Sequence, residues 1–377
     1  MISNNLIYRF YHGWWKNIDK TIFLLIILLF SLGLFFSLVS TSLIASDKLD
    51  TNNYFFFFKH LVYIFLGMCT LIFFSSLDKK NLYRFSILFF LISVFFLILV
   101  PIIGVEVKGS KRWLDLFFLP RFQPIEIVKP FTIVVLASVL SAETDFNIYY
   151  KYFLSFIVII PLSLLLMMQP DIGQTLLIFL SWLTLVFISG ISLFIFLTFF
   201  GVSFIGLLYL IFFIPRFEYI KNRIESFFNP QSGTHNFQSE KAIDAITSGG
   251  FFGKGIGEGT LKNRVPEAHT DYIVSVISEE FGIVVIILLL TIYLFFIYNV
   301  FKKIYLETDE KIKLILVGSI TLILCQTLIH LGVNIRLFPT TGMTLPYLSY
   351  GGSSIIGVSI LSGIILNLTK RKVDNYE

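Results

Sequence analysis

Apolar runs of roughly twenty residues recur along this chain, and each is long enough to cross the hydrocarbon core of a bilayer as a helix. We predict ten such spans, at about residues 21–43, 55–77, 84–103, 124–141, 152–168, 173–189, 191–214, 272–300, 312–335 and 351–369. The longest interruption, 215–271, falls between the seventh and eighth spans. The pattern predicts an all-α polytopic membrane protein with one large outer loop.

Composition supports this fold class. Of the 377 residues, 56% are hydrophobic and 14% are charged, and the mean hydropathy is +0.84. Soluble domains carry about 25% charged residues, so the composition is typical of a membrane protein. The two cysteines, Cys69 and Cys325, lie in apolar runs, which predicts neither a disulfide framework nor a metal cluster. The first apolar run lacks a cleavage site of small residues, so we expect a retained helix.

The distribution of Lys and Arg predicts the orientation. With the N-terminus in the cytoplasm, the inner segments hold fourteen Lys and Arg residues, whereas three of the outer loops hold two. This bias predicts that both termini are cytoplasmic. We expect a single membrane domain over 21–369, including the outer loop 215–271, with cytoplasmic tails at 1–20 and 370–377.

One short outer segment, 104–123, contradicts the charge bias. It holds four cations, Lys108, Lys111, Arg112 and Arg121. An anionic ligand bound at the outer membrane surface would explain these cations, because guanidinium groups bind phosphate oxygens in a bidentate fork. Attraction to anionic lipid headgroups is the alternative explanation.

The same segment leads into the fourth span through GSKRWLDLFFLPRFQPIEIVKP. Trp113 and the residues after it suit an amphipathic piece in the membrane interface. Pro124 suits the first turn of a helix. Glu126 and Lys129 are three residues apart on one helix face, where pairing offsets part of their desolvation cost. They form either a purely structural ion pair or a support for the basic loop.

Two further outer segments are polar. Asp171 in MQPDIGQT can cap the sixth span, and its outer position also allows a role in shaping a ligand site. The stretch SGGFFGKGIGEGT is rich in glycine but does not match a phosphate-binding P-loop, because Lys254 precedes Gly255 and no strand comes before it. Its glycines suit either a close backbone approach to another surface or a flexible linker.

The eighth span opens with PEAHTDYIVSVISEE. A partly desolvated carboxylate at Asp271, beside two cationic loops, is suited to act as a general base. Capping of the helix by Thr270 or Asp271 is the alternative. Glu279 and Glu280 lie deeper, and we expect them to be structural and paired with Lys or Arg from another helix.

The last polar segment, 328–354, combines prolines, glycines and polar residues at membrane depth. Such backbone must line a cavity or pack inside protein, and Tyr350, Ser353 and Ser354 would supply donors there. Close helix packing by Gly351 and Gly352 is the alternative.

These motifs occur in one order, KRWLDL…RFQPIEIVKP, MQPDIGQT, SGGFFGKGIGEGT, PEAHTDYIVSVISEE and PTTGMTLPYLSYGGSS. The set resembles the shape, elongation, division and sporulation (SEDS) family of bacterial membrane proteins, over roughly residues 20–370. GMTLPYLSYGGSS is more similar to the division branch than to the elongation branch. Ile125 stands where the family usually has Ser, which puts the geometry of the first outer loop in question.

The resemblance implies a peptidoglycan glycosyltransferase that polymerises lipid II. The essential aspartate of the family corresponds to Asp271, the expected general base. Family positions for substrate binding correspond to Arg112, Arg121, Gln123, Glu126, Lys129 and Asp171. We add Lys254, His269 and Ser353 to this candidate substrate-binding set, from the polar segments above.

The resemblance also implies partners. It leaves room for a divalent cation, Mg²⁺ or Mn²⁺, and implies a class B penicillin-binding protein and other division proteins of the membrane as partners, with no nucleic acid. A lipid II flippase is an alternative, although a flippase would need ionisable groups across the whole bilayer depth. A noncatalytic division scaffold is a third.

Overall fold

A computed structural model describes residues 11, 13–41, 54–107, 110–116, 119–142, 148–228, 237–260, 265 and 267–370. Lys108 and most of both predicted tails lie outside the described residues. The helices are α1 (Lys20–Thr41), α2 (Phe55–Ser76), α3 (Lys79–Ile103), α4 (Pro124–Leu140), α5 (Ile148–Met168), α6 (Ile172–Ile188), α7 (Leu193–Phe213), α8 (Glu218–Phe228), α9 (Phe237–Gly249), α10 (Ile273–Leu306), α11 (Glu310–Asn334) and α12 (Gly352–Leu368). The strands are β1 (Val105–Val107), β2 (Ser110–Leu116) and β3 (Leu119–Phe122).

Each of the ten predicted spans corresponds to a helix, namely α1 to α7 and α10 to α12. Seven of these helices are long and apolar enough to cross a membrane. The other three, α4, α6 and α12, have 17 residues each, which is the lower limit for a span. The prediction of an all-α polytopic membrane protein is confirmed.

The short helix α12 is buried along almost its whole length and packs most extensively against α2. Glycines make this packing possible. A Cβ atom at Gly357 would lie 2.3 Å from the carbonyl oxygen of Glu126, and one at Gly363 would lie 2.8 Å from that of Leu71. Small residues at such positions let helix backbones approach closely, which is the main source of helix association in a bilayer.

The predicted interfacial segment before α4 is extended rather than helical. Its strands form an antiparallel sheet in the order β1-β2-β3 at the outer end of α3. Side chains alternate between the two faces of β2, so that Ser110 and Leu114 are buried while Lys111 and Asp115 are exposed. The sheet gives Arg112 a fixed position.

The eighth span departs from the prediction of one continuous helix. Gly282 in α10 has φ 79°, which separates a short outer piece, 273–281, from the long piece that follows it. Every residue from Ile273 to Glu280 is buried, whereas Ile283 and Val284 are exposed. The outer piece therefore lies inside the protein, and only the inner piece faces lipid.

Candidate active site

Asp271 lies in a tight turn, Glu267–Tyr272, directly before α10. Its N–H donates to the carbonyl oxygen of Glu267 (3.1 Å). Tyr272 occupies the N-cap position of α10, and no side chain caps this helix. The alternative that Thr270 or Asp271 serves as the cap is therefore wrong. The side chain of Asp271 is half-buried.

Arg112 on β2 lies across from this turn. Its guanidinium donates to the carbonyl oxygens of Gln169 (Nε, 3.4 Å) and Pro170 (Nη2), and its Nε lies 3.7 Å from Oδ2 of Asp171. The side chain is 13% exposed. These contacts hold the guanidinium in one orientation and leave Nη1 directed towards the loop that contains Gly342.

Gly342 is the point where the acid and the cation meet. A Cβ atom at this position would lie 3.5 Å from Oδ2 of Asp271 and 3.8 Å from Nη1 of Arg112. Because glycine has no side chain, the carboxylate and the guanidinium face one small open space. A proton acceptor and a fixed positive charge that border one space can serve a reaction in which a hydroxyl attacks and an anion leaves.

Asp171 combines the two roles that its sequence position allowed. Oδ1 accepts from the N–H of Gln174 (3.4 Å) and so caps α6, while Oδ2 accepts from Nε2 of Gln123 (3.1 Å) and faces Arg112. The residue is 2% exposed. Burial raises the pKa of this carboxyl above its usual value, although the charge of Arg112 acts in the opposite direction. The cap is confirmed, and Asp171 also orients Arg112 and Gln123.

A buried polar cluster lies beneath these residues. Oε2 of Glu126 lies 2.8 Å from Nζ of Lys129, and Oε1 of Glu126 accepts from Gln174 (2.7 Å). The predicted ion pair is thus present and buried, with both residues 5% exposed. Above it, the backbone N–H of Gln123 donates to Oγ of Ser353 (2.9 Å), which ties β3 to α12. The cluster connects α4, α6 and α12 under the site.

A polar stripe on α11 was not among the residues predicted from the sequence. Gln326, His330 and Asn334 follow each other at intervals of four residues, hence on one helix face. Nε2 of Gln326 donates to the carbonyl oxygen of Thr344 (2.9 Å), and Nδ1 of His330 donates to that of Met343 (2.7 Å).

Asn334 completes the stripe, because its Nδ2 donates to the carbonyl oxygen of Asp271 (3.1 Å). The stripe therefore holds the residues that follow Gly342 and the turn that contains Asp271. Three polar side chains at this spacing inside an apolar span indicate a polar helix face within the protein, and this pattern could have identified the stripe from the sequence.

Three of the predicted substrate-binding residues have contacts elsewhere. Arg121 is exposed and pairs with Asp115 (2.7 Å), and Lys254 lies 3.5 Å from the buried Glu279. The ring of His269 lies beside Phe56 and Tyr350, with centroids 5.2 and 5.8 Å apart. Their roles in substrate binding stay predictions.

The described side chains can be compared with the ligand set that a divalent cation needs. In the part of the chain that the structure describes, no group of three or more His, Cys, Asp or Glu side chains could hold a metal ion. The guanidinium of Arg112 also lies beside both Asp171 and the space at Asp271, where a second cation would be repelled. We therefore derive no step of the reaction through a metal.

Known proteins resemble this chain over nearly its whole length. The family model for the FtsW/RodA/SpoVE proteins, described as "Cell cycle protein", matches residues 19–374. The probable peptidoglycan glycosyltransferase FtsW of Caulobacter vibrioides is 31% identical over 96% of this chain and 92% of that protein. The protein of the same name from Buchnera aphidicola is 34% identical over 93% of this chain and 88% of its own length.

Solved structures show the same fold. A chain from work on the structural coordination of polymerization and crosslinking by a peptidoglycan synthase complex has a TM-score of 0.76 and 25% identity, over 93% of this chain and 97% of its own. The rod shape determining protein RodA of Thermus thermophilus has a TM-score of 0.67 and 25% identity, over 93% and 96%. The five ordered motifs and these matches lead to one conclusion: the chain belongs to the FtsW/RodA/SpoVE family, which is the SEDS family.

Proposed function

We propose that this chain is a peptidoglycan glycosyltransferase that polymerises lipid II into glycan strands during septal cell-wall synthesis. The observation that carries this proposal is that Oδ2 of Asp271 and Nη1 of Arg112 both lie within 4 Å of one position, that of a Cβ atom at Gly342. The names of the Caulobacter and Buchnera relatives support the activity and the division branch over the elongation branch.

Lipid II is a disaccharide joined to undecaprenyl pyrophosphate. In the proposed reaction, Asp271 accepts the proton of the acceptor sugar's 4-hydroxyl as that oxygen attacks the anomeric carbon of the donor. The bond from this carbon to the pyrophosphate oxygen breaks with inversion, and undecaprenyl pyrophosphate leaves with the bonding electrons. A pyrophosphate leaves without protonation by an acid, so the reaction needs one carboxylate.

Arg112 stabilises the charge that develops on the leaving group. A fixed guanidinium in a partly desolvated site is already oriented before the bond breaks, and such preorganised charge is commonly the largest catalytic term. Its contacts with Asp171 and with two backbone carbonyls supply this orientation. Asp171 and Gln123 act through Arg112 and the sheet rather than on the reacting atoms.

An apolar cavity of about 160 Å³ beside the site suits the lipid part of the substrate. Thr341, which precedes Gly342, lines it, together with apolar side chains that include Ile172, Ile329 and Phe338. Arg223 lies in its wall and donates to the carbonyl oxygen of Thr340 (2.9 Å). We propose that isoprene units nearest the pyrophosphate occupy this cavity.

The orientation and the partner are part of the proposal. The bias of Lys and Arg supports cytoplasmic termini and an active site on the periplasmic side of the cytoplasmic membrane, within one membrane domain over 21–369. The family supports a class B penicillin-binding protein, which crosslinks strands, as the partner that activates polymerisation. The purified chain alone is then expected to be a weak polymerase.

The test is synthesis of glycan strands from labelled lipid II by the purified protein with its cognate transpeptidase. We expect Asp271→Asn to abolish synthesis and still bind the transpeptidase. Asp244→Asn, which removes an exposed carboxylate of the outer loop, serves as the matched control and is expected to be active. Strand synthesis by Asp271→Asn would refute the role of the base. Lipid II transfer across vesicles without strand synthesis by the native complex would favour the flippase.

A further inference from the structure

The glycine-rich stretch of the outer loop, Gly249–Gly255, is hydrogen-bonded into the break of α10. On one side of the break, the N–H groups of Lys254 and Gly255 donate to the carbonyl oxygens of Glu279 (2.9 Å) and Glu280 (3.0 Å). On the other side, the N–H groups of Ile283 and Val284 donate to Gly250 (3.0 Å) and Phe251 (3.3 Å). We call this stretch the glycine clamp.

These hydrogen bonds satisfy the groups that a helix break exposes. The carbonyls before a break and the N–H groups after it lose their partners within the helix. At the boundary of an apolar medium, each such group costs free energy when it stays unsatisfied. The glycine clamp supplies a partner on both sides, so the break at Gly282 is stable because the loop is there.

The clamp can approach this closely only because glycine occupies the positions of closest contact, Gly249 and Gly253 in the loop and Gly282 in the helix. A Cβ atom would lie 1.9 Å from the carbonyl oxygen of Ser278 at Gly249, and 2.1 Å from that of Glu280 at Gly253. On the helix side, a Cβ atom at Gly282 would lie 2.2 Å from the carbonyl oxygen of Phe251. All three obstacles are backbone atoms, which cannot rotate away as a side chain can.

A charge contact reinforces the clamp. Nζ of Lys254 lies 3.5 Å from Oε1 of Glu279, whose side chain is 0% exposed. A Cβ atom at Gly259 would lie 3.0 Å from Cδ of this carboxylate, so the loop covers it closely. The predicted pairing of Glu279 with a basic residue is present, but the partner comes from the outer loop and not from another helix.

The glycine clamp contacts one end of the short outer piece of α10, and the proposed base, Asp271, lies at the other end. Residues 273–281 form the outer piece of α10, and Asp271 lies at its far end. At the rise of an α-helix, Asp271 is about 15 Å from Gly282, so a rotation of about 4° at the break displaces the carboxylate by about 1 Å. Displacements of this size can cost about 100-fold in rate.

We propose that the glycine clamp positions Asp271 by setting the angle of α10 at Gly282, and that Lys254 and Glu279 are positioning residues for the reaction. The inference rests on the proposed function for its kinetic consequence. It assigns Lys254 to the support of the base rather than to contact with the substrate.

A pair of glycine substitutions separates the clamp from local strain. Gly253 and Gly257 both have positive φ, 79° and 85°, so alanine is strained equally at either position. Only Gly253→Ala creates the backbone clash, because nothing lies within 4 Å of a Cβ atom at Gly257. We expect Gly253→Ala to lower kcat about 100-fold with KM for lipid II unchanged, and Gly257→Ala to remain close to the native protein.

Hydrogen exchange gives a readout that does not depend on activity. We expect Gly253→Ala, and not Gly257→Ala, to increase amide exchange across 267–281 relative to the native protein. Equal exchange in both variants would overturn the clamp, even if strand synthesis were lost. If the native complex makes no strands, the proposed function is refuted. The exchange measurement would still test whether the glycine clamp holds the segment 267–281 in place.

A substitution at Lys254 tests its assignment. Positioning predicts that Lys254→Met lowers kcat with KM unchanged and that Lys254→Arg restores most of the rate, since arginine retains the charge beside Glu279. An increase in KM with kcat unchanged would show that Lys254 contacts the substrate and would overturn its positioning role.

Discussion

Alanine at Gly342 offers a direct test of the space between Asp271 and Arg112. The added methyl group would lie 3.5 Å from Oδ2 of Asp271 and 3.8 Å from Nη1 of Arg112. Both are ordinary contact distances, so the folded protein can accept the methyl group without a clash. It would instead occupy the position at which the reacting atoms must lie between base and cation.

The cost to stability follows from the backbone. Gly342 has φ 72°, and an L-residue with a side chain costs about 1–2 kcal/mol in that region. Gly190 provides the matched control, because it has φ 90° between α6 and α7 and nothing lies within 4 Å of a Cβ atom there. We therefore expect Gly342→Ala and Gly190→Ala to lower the free energy of unfolding by similar amounts.

The two variants should differ in activity. In strand synthesis from labelled lipid II with the cognate transpeptidase, we expect Gly342→Ala to lower the rate about 100-fold or more. We expect Gly190→Ala to retain a rate near that of the native protein. The melting temperature of each purified complex checks the common cost of the backbone. Native rates in Gly342→Ala would refute the inference that the reaction takes place between Asp271 and Arg112.

Three further substitutions test the support of the site. Asn334→Leu removes the hydrogen bond to the carbonyl oxygen of Asp271 and is expected to lower kcat about 10-fold. Asn299→Leu, at a half-buried position in α10, is the control, and equal kinetics in the two variants would contradict this role. Arg112→Gln should reduce strand synthesis by much more than Arg121→Gln, because Arg121 pairs with the exposed carboxylate of Asp115. A larger effect of the Arg121 substitution would indicate that the anionic leaving group binds at the exposed side of the sheet and not at Arg112. Lys129→Met leaves the carboxylate of its ion pair buried alone and should cost about 3–5 kcal/mol of stability, measured as a lower melting temperature. An unchanged melting temperature would mean that this pair is dispensable.

The sheet of β1, β2 and β3 illustrates which part of the site could be predicted from local sequence. Four cations in a short outer segment pointed to an anion, and Arg112 does lie at the site. Arg121, only nine residues away, pairs with Asp115 on the exposed side of the sheet. The difference is one of strand pairing, since the turn and the register of β2 and β3 decide which cation faces the protein and which faces solvent.

The break in α10 illustrates the opposite case. PEAHTDYIVSVISEE and the apolar run after it predict one helix, because every local preference up to Phe281 is compatible with a helix. Gly282 alone does not require a break. The break is stable because a loop some thirty residues earlier in the sequence supplies the missing hydrogen bonds, and such a partner is visible only in the tertiary structure.

The sequence by itself determined which segments enter the membrane, which family the chain belongs to, and that acids and cations collect at one end of the spans. It could do so because burial in lipid imposes a length and a polarity on each segment separately. Only the tertiary structure decided that Asp271 and Arg112 meet at Gly342 and that Lys254 lies beside Glu279. These contacts join residues far apart in the chain, and their geometry depends on how close the backbones of α10, α11, β2 and the outer loop can approach, which no local pattern encodes.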